Sequence, residues 1–253
     1  MFPKRILFWI PMICLFLSLF SRPSGAVGLE AAIGLSYPDF QGGLVYKGDS
    51  LDLNNNLRFN REARFFGRVK IDMPLIIPNL YLMATPLRFD GTATNNLSFK
   101  FGDQTFNAGI PFSSTLRLDH YDLALYYGLP FVKLATMGSI NVDAGLNIRV
   151  FDLKTEIAQI AKSESQSFNL IMPMAYIGFQ IKPTNSFSLE GEIRGIAYNG
   201  DHYYDLIGRV KYYFIKVAFV SLGYRHEEVS MDQSDIKLNV KFSGPLAEVG
   251  FQF

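Results

Sequence analysis

The residues of this chain with the types and spacing for acid–base chemistry are its three histidines, each close to a carboxylate. His202 follows Asp201 and precedes Asp205. His226 stands directly before Glu227 and Glu228. His120 is two residues from Asp122, which on a strand puts both on one face. An imidazole beside a carboxylate can activate water, so His202 or His226 could serve a hydrolase acting on lipid or peptide at a membrane rim. The plainer reading of each is preferred: His202 and His226 lie in polar stretches typical of solvated loops, and His120 with Asp122 suits a filled interior. No HExxH, cysteine cluster or closely spaced histidine pair offers a metal site. No glycine-rich phosphate loop is present, and Gly42-Gly43 reads as loop punctuation. The expectation is a protein that is not an enzyme, with no catalytic residues, cofactor or metal.

A larger set of reactive groups is a row of charges on one face of successive alternating segments. They are Glu30, Arg64, Arg68, Lys70, Asp72, Asp122, Asp143, Arg149, Glu190, Glu192, Arg194, Asp205, Arg209, Lys211, Arg225, Glu227 and Glu248. Eight are basic and nine acidic. A selective pore concentrates one sign of charge at its constriction. Near-balance points instead to mutual pairing in a narrow lumen, because buried charges need partners and small barrels are filled by side chains. The alternative is a narrow pore for small solutes. It requires part of the Arg64, Arg68, Arg209 and Lys211 set to stand unpaired.

Strands must position these charges. In residues 140–150, Ile140, Val142, Ala144, Leu146, Ile148 and Val150 alternate with Asn141, Asp143, Gly145, Asn147 and Arg149. The same period recurs around residues 29–36, 64–73, 120–127, 187–194, 204–214 and 218–227. The stretches near Leu80 and over residues 171–181 are less regular, because Pro86 and Pro173 each remove a ladder donor. Counting them gives about ten strands, eight without them. Residues 74–79, 128–138, 182–185 and 215–216 read as periplasmic turns. Residues 38–60, 90–111, 154–165, 199–202 and 228–234 read as extracellular loops, the first of which could fold inward as a plug. Ile236, Leu238, Val240 and Phe242 are apolar at even positions, whereas Val249, Phe251 and Phe253 are apolar at odd ones. A bulge at Gly244-Pro245 would reconcile the two.

The two ends of the sequence say where such strands would go. Lys4 and Arg5 precede an uncharged apolar run over residues 6–20, and Ser24-Gly25-Ala26 follows, the layout of a cleaved export signal. The run is shorter than the roughly 20 residues that span a bilayer. Cleavage after Ala26 would leave 227 residues with 21 basic and 23 acidic side chains, a formal charge of −2. Cys14 and Trp9, the single Cys and the single Trp, fall in the removed segment. The mature chain would then have no disulfide, and its charge gives nucleic acid no hold. The final stretch alternates through Val249 and Phe251 to Phe253. It resembles the C-terminal insertion signal of bacterial outer-membrane barrels.

Several blocks in order resemble one family of Gram-negative outer-membrane proteins of unknown function. These are Met73-Pro-Leu-Ile-Ile-Pro-Asn79, Leu118-Asp-His-Tyr-Asp122-Leu-Ala-Leu-Tyr-Tyr127, Asn141-Val-Asp-Ala-Gly-Leu146, Leu222-Gly-Tyr-Arg225 and Phe242-Ser-Gly-Pro245 with Gly250-Phe-Gln-Phe253. Members often carry His where this chain has Met73. The resemblance implies an exported outer-membrane barrel and no known activity. The combined expectation is an all-β protein: a signal peptide over residues 1–26, then one closed antiparallel transmembrane β-barrel over 27–253. It would be a monomer in the outer membrane of a Gram-negative bacterium. Its partners would be membrane lipid and, during biogenesis, periplasmic chaperones and the barrel-insertion machinery. Its role would be structural, or surface interaction through its loops.

Overall fold

A computed structural model describes residues 27–74, 76–233 and 236–253. The export signal over 1–26 lies outside the described residues. The described residues form fifteen strands and one short helix. They are β1 (Gly28–Ser36), β2 (Asp39–Tyr46), β3 (Ser50–Asp52), β4 (Arg64–Asp72), β5 (Asn79–Thr85), β6 (Arg88–Ala93), β7 (Phe99–Phe101), β8 (Gln104–Phe106) and β9 (Phe112–Gly128). Then come α1 (Pro130–Ala135), β10 (Ile140–Gln159), β11 (Lys162–Thr184), β12 (Phe187–Tyr198), β13 (Asp201–Ile215), β14 (Ala218–Gln233) and β15 (Ile236–Gln252).

Most of these strands make a ten-stave antiparallel wall, and β1 pairing with β15 closes it. Two staves are made of two strands each. β1 and β2 share the register against β15 across a break at Tyr37-Pro38. β5 and β6 share the register against β9 across a break at Pro86-Leu87. The ring of Pro86 cannot donate to the ladder, yet Leu118 N–H still reaches the Leu87 carbonyl at 2.7 Å. Pro173 lies inside β11 opposite Ile148 without breaking that strand. Both irregular stretches are therefore staves, and ten is the count rather than eight.

One end, the base, carries the short turns, α1 and the Leu29–Phe253 pairing. The other end, the crown, is larger than expected. Residues 154–165 form no loop: β10 and β11 run to the pair Gln159 and Lys162, and Ala161 takes a positive φ of 62° in the turn. Residues 38–60 carry β2 and β3, and residues 90–111 carry the end of β6 and the β7–β8 hairpin. Leu51, Leu53, Leu57 and Phe59 are buried, so the first of these segments does fold inward. Gly42 is a strand residue of β2 and not loop punctuation. Its φ is +118°, and a Cβ there would stand 2.0 Å from the Asn239 carbonyl oxygen.

The wall changes its dress between base and crown. On the lower part of β10, Leu146, Ile148 and Val150 are exposed while Asn147 and Arg149 are buried. Beyond Val150 the polarity inverts: Phe151, Leu153 and Ile157 are buried, and Asp152, Lys154 and Glu156 point outward. In β9, Leu116 and Leu118 lie inside above His120 and Asp122. In β15 the inversion replaces the expected bulge. Its ladders to β14, β1 and β2 keep one register throughout. Ile236, Leu238, Val240 and Phe242 face inward, on the same side as Leu246 and Glu248. The physical reason is a change of solvent. An outward apolar face is stable in lipid, whereas in water apolar groups must turn inward.

Candidate functional site

The interior holds two stacked layers, and their composition follows from that inversion. In the lower layer seven bases, Arg68, Lys70, Arg149, Arg194, Arg209, Lys211 and Arg225, meet seven acids, Glu30, Asp122, Glu190, Glu192, Asp205, Glu227 and Glu248. Nearest the base, Lys211 Nζ lies 2.6 Å from Glu30 and 2.7 Å from Glu190. Above it, Arg68 donates two bonds of 3.0 Å to the Glu248 carboxylate. Glu192 accepts from Arg209 at 2.7 Å, Arg194 at 3.0 Å and the Tyr81 hydroxyl at 3.0 Å. Lys70 joins it at 2.9 Å.

Nearest the crown, Arg149 grips Asp122 with bonds of 2.7 and 2.8 Å and reaches Asp205 at 2.5 Å. Arg225 holds Asp205 at 2.9 and 2.8 Å and Glu227 at 2.9 Å. His120 closes this group: its Nε2 lies 3.0 Å from Arg225 Nη2, and its Nδ1 lies 3.2 Å from the Leu118 carbonyl. Rings from the wall cover the cations. The Arg149 guanidinium lies 4.7 Å from the Tyr203 ring and Arg194 lies 4.9 Å from Tyr81, distances at which cation–π attraction operates. Paired and balanced, and buried except for the partly exposed Lys70, the groups leave no excess of one sign across the lumen.

Three expected members of the lumen set lie outside this network. Arg64 sits higher, 3.0 Å from Glu62 and over the Phe89 ring at 5.9 Å. Asp72 and Asp143 line a polar cavity of about 240 Å³ at the base, with Lys70, Tyr126, Lys133 and Lys182. Sequence reasoning missed the uncharged partners that complete the network. Asn147 donates to Asp122 at 2.7 Å, Ser221 to Glu248 at 2.8 Å, Tyr203 to Glu227 at 3.0 Å, and Arg225 donates to the Thr85 hydroxyl at 3.0 Å. All four have the inward phase of their strands, which was the available signal.

The upper layer is apolar and was not expected. Phe40, Phe89, Phe101, Phe106, Phe112 and Phe242 pack there with Leu44, Leu51, Leu53, Leu116 and Leu238. Phe89 stacks on Phe242 at 5.6 Å and meets Phe40 at 4.9 Å. The inward charges read from the strands fill the lower layer, and apolar side chains fill the upper one, where the surrounding medium differs.

The two remaining histidines are on strands and face outward, not on loops. His202 Nε2 lies 3.6 Å from Glu228, with its ring stacked on Tyr204 at 5.2 Å. His226 Nδ1 is 2.6 Å from the hydroxyl of Ser243, its partner across β15, and its Nε2 is 3.9 Å from Glu228. That last separation exceeds hydrogen-bond range. Glu228 is instead bound to Lys241 at 3.0 Å, and that bond holds its carboxyl below the ordinary value. The serine and histidine thus lack an acid to orient the imidazole, as an activated nucleophile requires. The cavity touching Ser243 is only about 20 Å³. Among the described residues no group of three or more His, Cys, Asp or Glu could hold a metal ion. Val249, Phe251 and Phe253 project from the outer face of the closing stave, each roughly half exposed.

No family model matches the sequence, and no curated protein does. Among solved structures, the chain is similar to the attachment invasion locus protein Ail of Yersinia pestis. That match has 9% identity, 89% of this chain and 99% of that chain covered, and a TM-score of 0.34. Neisserial surface protein A gives 10% identity, 90% and 97% coverage and a TM-score of 0.35. The translocator domain of the autotransporter NalP from Neisseria meningitidis gives 8%, 98%, 96% and 0.42. At TM-scores below 0.5 the architecture rests on this chain's own strand register. It is a closed ten-strand antiparallel barrel with an apolar band outside and ion pairs inside, the architecture of Gram-negative outer-membrane barrels.

Proposed function

We propose that this protein is a non-conducting, non-catalytic barrel of the outer membrane that works through its crown and outer surface. Residues 1–26 act as a removed export signal and 27–253 form the barrel, a monomer set in membrane lipid. The base faces the periplasm and the crown faces outward. One observation supports the reading: the interior is filled by the ion-pair layer and by the apolar layer above it. The pore alternative required unpaired cations. Arg68, Arg209 and Lys211 are each held by carboxylates, and Arg64 is held by Glu62. On this reading Val249, Phe251 and Phe253 form the signal that the insertion machinery reads after periplasmic chaperones deliver the chain.

Single-channel recording of the refolded mature barrel in a planar bilayer tests the proposal. Folded protein that passes no current at any applied voltage supports it. Discrete, reproducible openings whose ion selectivity changes in an Arg209→Glu variant would overturn it in favour of the pore.

A further inference from the structure

The wall is incomplete between β11 and β12. Above the pair Ala175 and Gly195, β11 has no partner in β12, although it stays paired to β10 as far as Lys162. The β12–β13 hairpin ends early, at Asn199-Gly200. This leaves a notch in the rim between two taller hairpins. Pro173 stands two residues above the last pair and has no N–H to offer toward β12.

The apolar layer reaches the surface in this notch. Three partly buried apolar residues pack against that layer, Leu170, Ile196 and Met231. All three line one cavity of about 270 Å³, with Met172, Tyr203 and Tyr198. Met172 and Tyr203 belong to the buried layer itself, so the cavity ends blind against it. Its outer edge is Ile171 and Pro173, at the top of the lipid-facing band of β11; Ile171 is 68% exposed, and the next outward residue above is Asn169. His202 and Asp201 stand on its rim.

We infer that this notch binds an acyl chain of a lipid in the outer leaflet. The opening is continuous with the apolar band, so the neighbouring medium at that height is lipid at the boundary between chains and headgroups. The lining is apolar and includes two methionines, whose flexible, polarisable side chains adapt to a chain without fixed shape. The polar groups are confined to the rim, which matches an amphiphile entering tail first. A blind cavity holds such a chain and does not pass it on. The inference rests on the reading that the apolar band lies in a membrane.

Trp9 is the single tryptophan, so the mature barrel offers a dark background for reporters. Met231→Trp places a reporter inside the notch, and Leu146→Trp places one on the lipid-facing band of β10. Each variant is refolded into vesicles of a phosphatidylcholine brominated along its acyl chains, a contact quencher. Both reporters losing fluorescence to the same extent is the expected result. Quenching of Leu146→Trp with Met231→Trp spared would overturn the inference and leave the membrane reading intact. Quenching of neither would remove the membrane reading and the inference with it. Quenching of Met231→Trp by aqueous iodide rather than by brominated chains would mean a water-filled notch. Protection of Met231→Trp that grows with the protein-to-lipid ratio would mean a second copy in the notch. Either result overturns the lipid assignment. Should Met231→Trp fail to refold, Ile196→Trp reports from the opposite wall of the same cavity.

Discussion

Arg149 contacts three carboxylates at once, those of Asp122, Asp205 and Glu227. It has no exposed surface. A buried ion network adds little over an apolar filling, but removing one member is costly because the remaining charges stay buried and uncompensated. Arg149→Met should therefore lower stability by about 3–5 kcal/mol. The urea midpoint of the refolded barrel in lipid vesicles would read this. Adding Asp122→Leu restores equal numbers of bases and acids and should recover part of the loss. A single variant with an unchanged midpoint would show that water enters the layer and solvates the charges, contrary to a closed lumen. The charges were legible as residues, since alternation put each on the inward phase. Their partners were not, because pairing across the lumen joins staves far apart in sequence, such as Arg68 with Glu248.

At the scale of a strand, the informative feature is a change in which parity is apolar. Along β10 the apolar residues are even up to Val150, and Phe151, Leu153 and Ile157 are odd. Along β15 the same exchange occurs between Phe242 and Ala247. Alternation alone says that a strand has two faces; it does not say which solvent each face meets. The strand count and closure are therefore readable, whereas the height of the crown is not, because strands above the membrane are polar on their outer face, as loops are. Two substitutions on the outward face of β10 separate the media. Leu146→Lys puts a charge into the lipid-facing band and should cost about 2–4 kcal/mol. Lys154→Leu lies where that face meets water and should stay within about 0.5 kcal/mol of the parent. Equal costs in vesicle-based unfolding would contradict a membrane boundary between the two positions.

At the scale of the molecule, the proposed closure rests on two layers in series, each built by different parts of the chain. The ion-pair layer comes almost wholly from wall strands. The apolar layer draws on segments that leave the wall, among them β3, with Leu51, and the β7–β8 hairpin, with Phe99, Phe101 and Phe106. A loop that fills a crown can be shortened without touching the wall, because the wall keeps its own ladders. Replacing residues 97–108 by a short glycine–serine linker should therefore open the upper layer and leave the barrel silent in planar bilayers, since the charges below remain paired. The same replacement should lower stability, because three buried phenylalanines are lost and the cavity left behind adds to the lost transfer energy. Conduction by that variant alone would mean that the ion-pair layer does not close the lumen by itself. The seal would then belong to the crown, and the balanced charges would act as a hydrated lining rather than as a plug.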